Sequence, residues 1–181
     1  MNTQLQHGVG QLDGQPIRLP TVYLAGKIRK NCWRHPLVAG LREHHWNFGP
    51  LKQDAFVYVG PFFVGCDHGC YHQVSSHGNG SGCTHNQESS QQRVAELCRT
   101  AIRKADLLFC YLDSADCYGT IAEIERAHVH GVPAVIAFAP NIATAKLNDF
   151  WFVCTVAKQV HYGVNENQLS ALLKASIKEV A

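Results

Sequence analysis

Apolar positions along this chain fall into short, nearly unbroken runs separated by stretches of helical spacing. Residues 21–25, 55–59, 107–112 and 134–138 are β-prone runs with almost no polar interruption, as expected of strands covered on both faces. Across residues 91–105, Val94, Leu97, Cys98, Ala101, Ile102 and Ala105 recur at the i, i+3, i+4, i+7 spacing of one helix face. Residues 119–130 form a second such stretch with Ile121, Ile124 and His128 on one side, and Gly131 with Pro133 stops it. Further helices are predicted over residues 36–44, 146–158 and 168–180.

Strands alternating with helices predict an α/β fold: a three-layer, doubly wound Rossmann/flavodoxin-like sandwich around a mostly parallel five-stranded sheet. Ligands of such folds bind outside the carboxyl ends of the strands. Gly8, Gly10, Gly14 and Pro16 break any periodicity at the start, so residues 1–20 read as an N-terminal arm and residues 21–181 as one domain. The polar stretch from Gly60-Pro61 to about Gln91 is a long loop, and its Ser, Gly, Gln and His-rich part spans residues 75–90.

Composition narrows the function classes. Sixteen basic and 14 acidic residues leave a net charge of +2, too balanced for a protein that holds a nucleic acid polymer electrostatically. No apolar run approaches the roughly 20 residues needed to cross a bilayer, and the polar opening lacks the core of a secretory signal. The expectation is a cytoplasmic protein with no membrane partner and a small-molecule ligand. Several of the eight cysteines sit inside strand or helix patterns, where they act as small apolar residues in a reducing compartment.

Chemistry concentrates after the strand that ends near Asp113. Ser114-Ala-Asp-Cys-Tyr-Gly-Thr-Ile-Ala-Glu123-Ile-Glu125 is a strand-to-helix turn at the active-site end of such a sheet. Asp116 is the expected N-cap, and Gly119 lets backbone and ligand approach closely. The helix dipole favours an ionised Glu123, as a carboxylate nucleophile requires, whereas Glu125 points elsewhere and is expected to be solvated. The simpler role for Glu123, complementing the dipole, stays open on spacing alone. Gly26 ends the first strand, and the basic loop after it carries Arg29 and Arg34, whose guanidinium forks suit a nucleotide phosphate. Trp33 in that loop is read as packing against the sheet.

Val22-Tyr-Leu-Ala-Gly26, Ala105-Asp106-Leu-Leu and Tyr118-Gly-Thr-Ile-Ala-Glu123-Ile together resemble the nucleoside 2-deoxyribosyltransferase family over residues 21–139. The resemblance implies that Glu123 attacks the anomeric carbon of the sugar to give a covalent glycosyl-enzyme. A second base or water then resolves this intermediate, on a nucleoside or a nucleoside monophosphate. It implies that Asp113 or Asp116 serves the leaving base, that Tyr23 faces the pocket, and that Phe62, Phe63 and Asp67 border the base. It also implies a homo-oligomer, in which Asn148 belongs to a region reaching a neighbour's site. No cofactor is implied. Where the family often carries an aspartate in the preceding helix, this chain has Cys98 or Arg99, so a nucleotide-binding or sensing module without turnover is the alternative. Cys66, His68, Cys70 and His72 form a second alternative, a zinc-stabilised interaction protein, although their spacing lacks the paired arrangement of known zinc sites.

Overall fold

The computed structural model describes residues 18–28, 32–41, 49–61, 91–142 and 144–180. It is an α/β fold on one six-stranded sheet, ordered β2-β3-β1-β4-β5-β6. The strands are β1 (Thr21–Gly26), β2 (Leu51–Lys52), β3 (Val57–Gly60), β4 (Leu107–Leu112), β5 (Ala134–Phe138) and β6 (Gln159–His161). All neighbouring pairs are parallel except β2 with β3, an antiparallel edge. The helices are α1 (Gln91–Lys104), α2 (Tyr118–Val129), α3 (Thr144–Leu147), α4 (Trp151–Val156) and α5 (Leu169–Lys178).

The central strands explain themselves. Every residue of β4 and β5 is buried; apolar side chains occupy both faces of a covered sheet without leaving unpaired donors, and the Tyr111 hydroxyl of β4 donates to Val164 O at 3.1 Å. Among the described residues the sheet has six strands where five were expected. β2 and β6 are two and three residues long, with Lys52, Gln159 and His161 among them, and their burial is only partial.

Two helix expectations are corrected. Residues 33–41 form turns, with Leu37 N and Val38 N both donating to Arg34 O at 3.0 and 2.9 Å; Gly40 then takes a φ of +79°, which ends any right-handed helix. The helix expected over 146–158 is interrupted by a 3₁₀ turn at Asn148–Phe150, between α3 and α4.

Side-chain alternation orients the sheet. Tyr23 pairs with Leu108 in register, Leu24 with Phe109 and Gly26 with Tyr111, so Tyr23 and Leu108 face one way and Phe109 and Tyr111 the other. The Trp33 ring packs on the second face, 6.3 Å from Phe109 and 5.6 Å from Tyr111, and is buried as packing predicts. Helix α2 packs on β1, β4 and β5, and α1 packs on α2, β1 and β3. Asp106, just before β4, anchors the opposite end of β1: its carboxylate accepts from Thr21 N at 2.7 Å and Thr21 Oγ1 at 2.8 Å and pairs with Arg18. Among the described residues no helix is long and apolar enough to cross a membrane.

Candidate active site

Glu123 and Tyr23 come together across 100 positions of sequence. Tyr23 is fully buried in β1, and its hydroxyl donates to Glu123 Oε1 at 2.5 Å. The ring fits only because Gly60 faces it: a Cβ there would lie 2.6 Å from Tyr23 Cε2 and 2.9 Å from Cδ2, and Gly60 holds a φ of +153°. Tyr23 was expected to line a pocket. It is fully buried and is a partner of Glu123.

Glu123 is half-buried and is the sixth residue of α2, about 8 Å along the axis from the helix start. That distance carries it past the first turn, where the dipole acts. Burial pushes its carboxyl up to about 7, against the lowering effects of the Tyr23 hydrogen bond and the Arg34 charge. The dipole is therefore not what sets this carboxyl, contrary to expectation: desolvation outweighs the Tyr23 bond and the Arg34 charge. Glu125 is also half-buried rather than solvated, and its Oε2 is a buried atom with no hydrogen-bond partner among the described residues.

Asp116 is not the N-cap that was expected. The N-cap of α2 is Cys117, with no side-chain cap bond. Asp116 is exposed and pairs with Lys27 and Ser114. The Lys27 ammonium, then the Ser114 hydroxyl, hold its carboxyl down at about 2, too acidic to carry a proton for a leaving base at neutral pH. Asp113 is half-exposed at the end of β4, and its carbonyl accepts from Asn141 Nδ2 at 3.2 Å. The Tyr23 hydrogen bond and the Arg34 charge both favour the ionised form of Glu123.

Arg34 is not a phosphate ligand in waiting. It is fully buried, and its Nε donates to Leu24 O at 2.8 Å and its Nη2 to Gly26 O at 2.7 Å. Nη1 reaches Lys27 O at 3.3 Å and Cys32 Sγ at 3.4 Å. A fork built for oxyanions is here spent on the carboxyl end of β1. Gly26 serves this packing: a Cβ would meet Tyr111 O at 2.7 Å and Arg34 Nη2 and Trp33 Cζ2 at 3.2 Å each, at a φ of +148°. Burial raises the Cys32 thiol, but hydrogen bonding with His35 and the Arg34 charge outweigh it and bring it down to about 6.

Gly119 lies in the first turn of α2, and a Cβ there would meet nothing within 4 Å. Beside it, Asp116, Tyr118, Ile121, Lys146, Phe150 and Phe152 line a hollow of about 390 Å³. Asn148 is exposed. It lines a separate groove with Leu147, Trp151, Cys154 and Tyr162. Arg29, Phe62, Phe63, Asp67 and the set Cys66, His68, Cys70 and His72 lie outside the described residues. Among the described residues no group of three or more His, Cys, Asp or Glu side chains is placed to hold a metal, and Cys32, Cys98, Cys110, Cys117 and Cys154 form no disulfide.

Two partnerships escaped the sequence reading. One is the buried Arg34 fork, hidden in what looks like a solvated basic loop. The other is Cys98 of α1, whose side chain acts on the Tyr23 hydroxyl and helps to push it up; the sequence marked it only as a departure from the family pattern. No family model matches the chain, and no curated protein matches it.

Proposed function

We propose that the protein cleaves or transfers the N-glycosidic bond of a deoxynucleoside, nucleoside or nucleoside monophosphate through a covalent glycosyl-Glu123 intermediate. The observation that carries this reading is the Glu123 carboxyl itself, half-buried and hydrogen-bonded by a fully buried tyrosine at 2.5 Å. A carboxylate so held is oriented and partly desolvated, which suits attack on an anomeric carbon through an oxocarbenium-like transition state. Water or a second base would then resolve the intermediate with retention.

The strand order supports the placement. Taken as a flavodoxin-like, doubly wound sandwich, the order β3-β1-β4-β5 has its switch point between β1 and β4, where such folds open a ligand crevice. Trp33 on one face and α1 and α2 serving the other are consistent with three layers. With Asp116 committed to Lys27, Asp113 is the remaining candidate to serve the leaving base. The exposed aromatics Trp151 and Tyr162 in the Asn148 groove support a homo-oligomer.

A non-catalytic nucleotide-binding module is the second reading, favoured by the engagement of Asp116 with Lys27 and by a thiol, not a carboxylate, beside Tyr23. Incubation with a panel of nucleosides and monophosphates, with and without free adenine, separates the two. Base release or exchange that Glu123→Gln abolishes supports the enzyme; ligand binding without release, unchanged in that variant, supports the module.

A further inference from the structure

Arg34 is a fixed cation that is fully buried, and a buried charge is costly unless it is paired and hydrogen-bonded. Three of its hydrogen bonds end on backbone carbonyls, Leu24 O, Gly26 O and Lys27 O, and its guanidinium carbon sits 4.5 Å over the Trp33 ring. The fourth ends on a side chain: Nη1 donates to Cys32 Sγ at 3.4 Å. A thiol sulfur is a weak acceptor, whereas a thiolate accepts with a full charge, so this contact gives the cation a counter-charge once Cys32 has lost its proton. The turn holds Cys32 in place beside Arg34, because its carbonyl accepts from His35 N at 3.1 Å and lies 2.7 Å from His35 Nδ1.

We propose that Cys32 is a thiolate paired with the buried Arg34 guanidinium and is a site of oxidation by hydroperoxides. The sulfur attacks one peroxide oxygen, the O–O bond breaks, and the leaving hydroxide or alkoxide takes a proton from water. Sulfur is oxidised to a sulfenic acid and the peroxide is reduced to water or an alcohol. Cys32 is half-buried, as Cys98 and Cys154 are, while Cys110 and Cys117 are buried. Cys154 provides the internal contrast, since burial raises its thiol above the ordinary value. Burial raises the Cys32 thiol too, but hydrogen bonding with His35 and the Arg34 charge outweigh it and bring it to about 6. Among the described residues, the titratable and charged groups that act with Cys32 are Arg34 and His35 from its own turn and Tyr58 from β3. Burial keeps Tyr58 neutral. Nothing in this assignment depends on Glu123 acting as a nucleophile.

The test is pulsed alkylation of the full chain with iodoacetamide across pH, each cysteine quantified by peptide mass analysis. The Cys32 midpoint should lie near 6, and that of Cys154 above 9.0. A Cys32 midpoint at the ordinary thiol value of about 8.5 or higher overturns the proposal, as does a native Cys32 that is never alkylated. Arg34→Met should raise the Cys32 midpoint by about one pH unit, a roughly tenfold loss of thiolate in mild acid, and Arg34→Lys by less. An unmoved midpoint in a methionine variant shown by circular dichroism to be folded overturns the pairing; where neither variant folds, the wild-type curve decides alone. In a second arm, hydrogen peroxide with dimedone at neutral pH should place a sulfenic-acid adduct on Cys32 and leave Cys154 unmodified. Peroxide treatment that yields neither that adduct nor a mixed disulfide at Cys32 overturns the oxidation site. Absence of base release defeats the nucleophile reading of Glu123 and leaves both arms decisive for Cys32.

Discussion

Replacing Arg34 should cost stability, not phosphate affinity. Its guanidinium is fully buried, makes 2.7 and 2.8 Å bonds to Gly26 O and Leu24 O, and sits 4.5 Å over the Trp33 ring. Methionine of similar length fills the space but leaves carbonyl groups at the end of β1 without these donors. Exchange of a buried ion pair for apolar residues can be neutral when both partners go; here the acceptors stay. Hydrogen bonds to a charged group contribute about 1.5–3 kcal/mol each, so losing the two short ones should cost about 3–5 kcal/mol once partial relaxation is allowed. For a chain of this size that lowers the melting temperature by roughly 6–20 °C. Lysine restores a charge but cannot reach several carbonyls as a planar fork, so Arg34→Lys should still lose about 2 kcal/mol. Urea and thermal unfolding of both variants measure this. Variants that melt within about 1 °C of wild type yet lose discrimination between a nucleoside and its monophosphate would refute the reasoning and restore a phosphate role.

Glu123→Gln should be more stable than wild type at pH 8. The folded carboxyl sits at about 7 against an ordinary 4.5, so between those values the folded state keeps a proton that the unfolded state has released. Stability therefore falls as pH rises through this window, by about 3 kcal/mol in all. The variant should lose that dependence and match wild type near pH 4; parallel curves in urea melts would contradict it. Gly60→Ala should cost about 1–3 kcal/mol by forcing the Tyr23 ring aside and straining the backbone, and should raise the Glu123 midpoint. An unchanged midpoint in a carbon-13 carboxyl NMR titration of Glu123 would count against the contact. Asp106 is held below the ordinary carboxylate range because Thr21 and Arg18 outweigh burial. Asp106→Ala should destabilise by about 1–2 kcal/mol at pH 7, a deficit that shrinks as acid protonates the wild-type carboxyl and that melting curves across pH would reveal.

What could be read from the sequence followed the physics of each segment. β4 and β5 took the bounds of their apolar runs because a strand buried on both faces has no other composition available. α1 and α2 followed their apolar spacing to within a residue. β2 and β6 were invisible, since two or three partly polar edge residues carry no periodicity, and both depend on the neighbouring strand for their hydrogen bonds. The break at Asn148–Phe150 likewise lies within an apolar pattern that continues across it. At the site, Glu123 was legible from a local motif, but its environment was not. Its partner is 100 residues away, the glycine that admits the Tyr23 ring belongs to β3, and its raised pKa reflects burial that no local pattern encodes. The basic loop misled because Lys and Arg runs usually face water, and nothing local reveals that one guanidinium has turned inward.

The central claim is that Glu123 becomes covalently bonded to a sugar. The direct measurement is intact-protein and peptide mass analysis after rapid acid quench of the protein with a panel of nucleosides and monophosphates. A mass gain equal to the glycosyl group, mapped to Glu123 and lost in Glu123→Gln while free base accumulates, is the result expected. Base release with no adduct on Glu123, undiminished in the glutamine variant, would contradict it.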